Sequence, residues 1–131
     1  MDNKSTIPST SKTANENILL QKSFAFAIRV VKLYKYLMGK DRSLKSIFEQ
    51  FLDAGTSVGA NVSEAQSASS KKDFVNKLLI SLKESRESHF WLRLFFAIEL
   101  LTKNEFKSMI TDCEELEKLL TSSIKTARRN S

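Results

Sequence analysis

Few residues in this chain could carry covalent or metal chemistry, and their spacing narrows the choice further. In 131 residues there is one histidine, His89, and one cysteine, Cys113. A single thiol closes no intramolecular disulfide and builds no thiolate cluster, which points to a cytosolic rather than a secreted chain. A helical di-metal site needs a Glu-x-x-His on each of two helices, so one histidine removes that option and no metal or other cofactor is expected. Ser122-Ser-Ile-Lys125 has the Ser-x-x-Lys spacing of acyl-transfer nucleophiles, but it lies in a fraying last turn without the companion motifs. Arg86-Glu-Ser-His89 puts an arginine and a histidine on one helix as helical ribonucleases do, at a shorter spacing than they use. Cys113 falls in an apolar stripe and reads as a small buried hydrophobe. No catalytic residue and no enzyme activity are expected.

Charge is the stronger chemical signal. The chain carries a formal +6 at neutral pH with a pI near 9.5. Between Lys22 and Lys45, seven cations (Lys22, Arg29, Lys32, Lys35, Lys40, Arg42 and Lys45) face Asp41 alone, and Lys125, Arg128 and Arg129 close the chain. Lys22, Arg29 and Lys32 fall on the polar side of the first helical segment. Such a face could neutralise phosphates of RNA or DNA in a salt-dependent, sequence-tolerant way. Its bland counterpart is a solvated charged face. Base-specific readout is not expected, because neither an aromatic RNA motif nor a recognition-helix signature is present.

A second polar group lies at mid-chain. Ser57, Asn61 and Glu64 share one flank of the second helical segment, and Glu84 and Glu87 share a secondary face of the third. These carboxylates could line a cation site. With no histidine beside them and Lys77, Lys83 and Arg86 available to pair, they read instead as a structural polar seam fixing helix register. Gly55 and Gly59, spaced small-xxx-small, cost about 1 kcal/mol each against alanine inside a helix, so a closely approaching backbone is expected to offset them. Ser81 and Ser85 of the third segment are the expected partners.

The elements that position these groups are helical. Three glycines and one proline are too few for the turns of a sandwich or barrel. Helical periodicity marks Asn17–Met38, Ser43–Ala68, Lys71–Leu101 and Asn104–Ala127. Gly39 is placed to end the first helix in the left-handed region, and Ser43 to cap the second. Ser70 can start the third, and Thr102-Lys-Asn-Glu105 has capping-box spacing for the fourth. Short links between long helices predict an all-α, antiparallel up-down-up-down four-helix bundle over residues 15–127, with helices roughly 35 to 45 Å long. Residues 1–14, rich in serine and threonine, read as a disordered tail, and 128–131 as a basic C-terminal tail. No signal peptide or membrane span is expected.

The apolar pattern exceeds what one bundle needs. On the first helix, Leu20, Phe24, Ala27, Val31, Tyr34 and Met38 form one stripe, and Leu19, Phe26, Val30, Leu33 and Leu37 another about 120° away. Residues Phe90 to Leu101 are apolar all round except for Arg93 and Glu99. A homo-oligomer is therefore expected, with Phe26, Val30, Leu33 and Leu37 on the first helix and Trp91, Leu94, Phe95 and Ile98 on the third as its contacts.

The run Ser57-Val-Gly-Ala-Asn-Val-Ser-Glu-Ala65, followed by Asp73-Phe-Val-Asn-Lys-Leu-Leu-Ile-Ser-Leu-Lys-Glu-Ser-Arg-Glu87, resembles the bacterial four-helix-bundle family encoded in intervening sequences of 23S ribosomal RNA genes. The resemblance spans about Phe24 to Leu120. That family shows Gly-Ala-Asn-Ile-x-Glu-Gly in its second helix, then Phe-x-x-x-Leu leading to Ser-x-x-Glu in its third. By position, Asn61 and Glu64 match the polar pair, Phe74 and Leu78 the apolar anchors, and Glu87 the third-helix acid. Ala65 stands where a glycine is usual, and Ser85 near a usual Gly-Ser step. The resemblance implies a basic homo-oligomer, a pentamer, without catalytic activity. The chain is also similar to the accessory protein of diversity-generating retroelements, which implies a reverse transcriptase or RNA-processing protein as partner. The two functions that stay open are an RNA-associated oligomer and a protein-docking scaffold whose charge is incidental.

Overall fold

The computed structural model describes residues 14–130, and every described element is helical. The tail expected before residue 14 lies outside the described residues. Helix α1 spans Ala14–Lys40, α2 Lys45–Ala65, α3 Lys71–Ala97 and α4 Lys103–Arg129, with a 3-10 turn at Arg42–Leu44 before α2. Each helix packs on its two neighbours in a closed order, α1 on α2, α2 on α3, α3 on α4 and α4 on α1, while the diagonal pairs make no close approach. Gly55 meets Val30 and Gly59 meets Ser23, and Lys22 reaches Glu115 while Arg29 reaches Asp112 and Ser108.

The core is built from one face of each helix. Leu19, Phe26, Val30 and Leu37 of α1 meet Phe48, Phe51, Val58 and Val62 of α2, Leu78, Leu92 and Phe95 of α3, and Cys113, Leu116 and Leu120 of α4. Phe95 sits at its aromatic centre, edge-on to Phe48 and Phe51 with ring centroids 5.5 and 5.4 Å away. α2 runs unbroken through both of its glycines.

The helix ends follow local chemistry, though not everywhere as expected. Ser70 accepts from the Asp73 amide, and Thr102 and Glu105 form a complete capping box, both as the spacing predicts. Gly39, by contrast, is helical within α1, and no described glycine has positive φ. Ser43 does not cap α2. The carboxylate of Asp41 accepts from the Ser43 amide instead and starts the 3-10 turn. α3 stops at Ala97, four residues early, because Glu99 turns left-handed at φ 66°. The amide of Glu99 then donates to the carbonyl of Phe96, and that of Leu100 to Phe95, which is a Schellman closure made without glycine. It folds Leu101 back into the core.

At the other end of the chain, α4 carries on through Arg128 and Arg129, so these two extend a helix where a tail was expected.

Candidate nucleic-acid interface

The cations predicted to form one basic face are distributed by the fold into three places. The polar side of α1 is the seam with α4. There Lys22 pairs with Glu115 at 3.2 Å. Arg29 is bound to Asp112 and, through its second nitrogen, to the hydroxyl of Ser108 at 2.7 Å. These two residues are therefore not an open phosphate surface, because α4 supplies acids at the matching heights. Lys32 borders the same seam, beside Tyr36, Asn104 and Glu105. The carboxyl of Glu105 is held below the usual range, chiefly by the backbone hydrogen bond from Thr102.

The second place is the turn from α1 into α2. Lys35, Arg42 and Lys45 surround a shallow pocket with Tyr34, Met38 and Gly39, and no carboxylate lines it. Lys45 has a distant partner in Glu49 at 3.9 Å.

Lying between α3 and the second half of α4, the third is a groove of about 460 Å³. Arg86, Lys118, Lys125 and Arg129 line it with Thr121 and Ser122, against Glu117 alone. Arg86 and Lys118 were not among the residues that the charge runs singled out. A signal was present: after Glu117, α4 holds no acid, and Lys118, Ser122, Lys125 and Arg129 recur at i, i+4, i+7 and i+11. Burial raises the Glu117 carboxyl above its usual range, against the pull of His89 and Arg86.

The mid-chain polar residues do not form one network. Gly55 and Gly59 face α1 rather than α3: a Cβ on Gly55 would lie 2.6 Å from a methyl of Val30, and one on Gly59 3.0 Å from the carbonyl oxygen of Ser23. This is a correction to the expected pairing with Ser81 and Ser85. Ser81 instead crosses from α3 to α2, donating to the Val58 carbonyl at 2.7 Å, while Ser85 donates within its own helix to Leu82. Asn61 donates to the Ser57 carbonyl, Glu64 accepts from Lys77 at 3.0 Å, and Glu87 accepts from the indole of Trp91. The hydrogen bond to Glu64 raises the Lys77 ammonium. Glu84 is raised by burial and by Glu87. Asn61, Glu64, Ser81, Ser85 and Glu87 are thus each satisfied locally, and no cluster of three or more His, Cys, Asp or Glu suited to a metal ion exists among the described residues. Burial pushes the Cys113 thiol up, and its Sγ donates to the Ser85 carbonyl. His89 lies 3.2 Å from the carboxylate of Glu114.

The predicted oligomer contacts are largely inverted. Phe26, Val30, Leu37 and Phe95 are buried in the chain's own core, and Leu33 and Leu94 are half-buried. Two apolar stripes on α1 cannot be told apart by period, and the one that meets α2 and α4 is the one assigned to the partner. The stripe left outside carries Phe24 at 68% exposure, with Ile28 and Val31 beside it. On α3, Phe90 at 52% and Ile98 at 45% remain outside, and Trp91 is half-buried.

A comparison with protein families matches residues 15–122 to the 23S rRNA-intervening sequence protein family. The chain belongs to that family. A solved structure of a protein of unknown function from the S23 ribosomal protein family of Bacteroides thetaiotaomicron is similar over 85% of this chain and 98% of that one, with 42% identity and a TM-score of 0.81. No curated protein matches the chain significantly. Asn61, Glu64 and Glu87, the residues that carried the family resemblance, lie along the flanks of α2 and α3 in this intervening-sequence protein. No described helix is long and apolar enough to cross a membrane.

Proposed function

We propose that this intervening-sequence protein is a non-enzymatic, cytoplasmic subunit of a homo-oligomer, folded as an up-down-up-down antiparallel bundle, that associates with RNA through uncompensated basic patches. One observation carries the reading: acids of the first half of α4 engage Lys22 and Arg29 of α1, while the cations lining the pocket at the α1–α2 turn face no carboxylate there and those of the groove at the end of α4 face Glu117 alone. Repeated around an assembly, these patches become multivalent for a polyanion. A filter-binding titration with structured RNA tests it. Binding at low salt that weakens steeply as salt rises is expected, and no binding at low salt overturns it.

Assembly is supported by apolar residues left exposed on diagonal corners, Phe24, Ile28 and Val31 on α1 and Phe90 and Ile98 on α3. Two different patches make a heterologous contact, which closes into a ring when the rotation between subunits divides a full turn, and the family resemblance implies five subunits. Light scattering that returns a monomer at micromolar concentration sinks this part. The same exposed patches favour the second reading, a docking scaffold for another protein, which takes over if the RNA titration is blank.

A further inference from the structure

We infer that the groove between α3 and the C-terminal half of α4 is the principal phosphate site, and that it holds the backbone of a nucleic-acid duplex through Arg86, Lys118, Lys125 and Arg129. The inference rests on the reading that the protein binds nucleic acid, and it names where. Three features of the molecule select this groove over the α1 face and the α1–α2 turn.

The first is charge balance. Four cations from two helices line the groove against Glu117, whereas Lys22 and Arg29 are already engaged by α4 and Lys45 has Glu49 within 3.9 Å. The second is shape. A concave, low-dielectric wall focuses the field of its charges, and the cations of this groove are held on the facing sides of two packed helices rather than around the single turn between α1 and α2. Lys118, Lys125 and Arg129 follow one ridge of α4, rising about 16 Å along its axis at 1.5 Å per residue, so they engage successive phosphates rather than a single anion. The third is position. The groove lies between α3 and α4, whereas the exposed stripe of Phe24, Ile28 and Val31 is on α1, which makes no close approach to α3; on α3 itself Ile98 lies about three turns beyond Arg86, and Phe90 about one turn beyond it. Assembly through the α1 stripe and the Ile98 end of α3 leaves the groove open.

The class of ligand follows from the lining. No aromatic side chain borders the groove. A single strand, which gains much of its affinity by stacking bases on aromatic rings, finds no platform there. Cations and the hydroxyls of Thr121 and Ser122 suit a sugar–phosphate backbone instead.

The experiment compares three full-length proteins by fluorescence anisotropy against a labelled RNA duplex and a single strand with the same number of phosphates, across a salt series. The native chain is expected to prefer the duplex. K118Q/K125Q/R129Q should bind the duplex at least about tenfold more weakly at low salt and lose about 2 to 3 from the slope of log affinity against log salt. K35Q/R42Q/K45Q should lose less than half as much of that slope. All six substitutions are at exposed positions, and matching thermal melts show that each variant is folded. A groove variant that binds like the native chain, or a turn variant that takes the larger loss, overturns the groove while leaving RNA association standing. A native preference for the single strand overturns the duplex assignment. A native chain that binds neither probe overturns the proposed function and this site together.

Discussion

The two seams that α1 makes are held by opposite means. Against α2 it is dry and close: Gly55 and Gly59 present bare backbone, Val30 fills the space over the first, and the Ser23 carbonyl rests over the second. Against α4 it is polar and more open, with Lys22 and Arg29 on one side, Ser108, Asp112 and Glu115 on the other, and a groove of about 520 Å³ bordered by Leu33, Tyr36 and Met109. One helix therefore uses shape complementarity on one flank and charge complementarity on the other. Packing of the first kind is short-ranged and unforgiving, since a close-packed interior feels a single added methylene. Exposed ion pairs are worth little individually and respond to salt. The α2 seam should set the stability of the bundle, and the α4 seam its alignment.

The largest effect is expected at Gly55. Gly55→Ala gains about 1 kcal/mol of helix propensity, yet its Cβ would lie 2.6 and 2.7 Å from the two methyls of Val30, a fully buried, β-branched side chain with no free rotamer. Overpacking of this kind costs about 1 to 3 kcal/mol, so a net loss of up to about 2 kcal/mol is expected in urea unfolding. Adding Val30→Ala should recover part of it, and a double-mutant cycle that shows no coupling breaks the seam as described. Gly59→Ala comes next. Its Cβ would sit 3.0 Å from a backbone oxygen that moves only if α1 moves, but the site is half-buried and the propensity gain is the same. A net loss below about 1 kcal/mol is expected, and a stabilised variant would show that the helices can part there.

How far this contrast was legible in the sequence depends on the element. Helix number, the Ser70 and Thr102 caps and the continuity of α2 follow from local patterns that the tertiary structure leaves unchanged. The facing of α1 does not, because Leu19, Phe26, Val30 and Leu37 differ little in apolar content from Leu20, Phe24, Ala27 and Val31. Period fixes a face but not its direction. Charge matching between segments held the missing information: Lys22 and Arg29 are seven apart, as are Ser108 and Glu115, with Asp112 between the latter. The end of α3 was hidden for a different reason. Glu99 adopts the left-handed conformation that glycine usually marks, and only the buried position of Leu101 makes that turn worthwhile. Among the candidate site residues, Lys125 and Arg129 were legible as part of a basic run. Arg86 joins them only because α3 and α4 pack side by side, a contact that no single-helix pattern contains.

Smaller effects belong to the α4 seam, and salt separates them from packing. Arg29→Ala removes the contacts to Asp112, to the Ser108 hydroxyl and to the Ser108 carbonyl, all partly solvated. A loss of about 0.5 to 1 kcal/mol is expected at low ionic strength. Lys22→Ala breaks one pair between side chains that are 45% and 48% exposed, and a loss below about 0.5 kcal/mol is expected. Both differences should shrink toward zero as salt is raised to about 1 M, where the Debye length falls to about 3 Å, while the Gly55→Ala difference stays constant. If the Arg29→Ala loss persists undiminished in high salt, its guanidinium acts by covering apolar surface beside Leu33 and Met109 rather than by charge. The α4 flank of α1 would then be a packed seam like the other, and the contrast between them would fail at its weaker member.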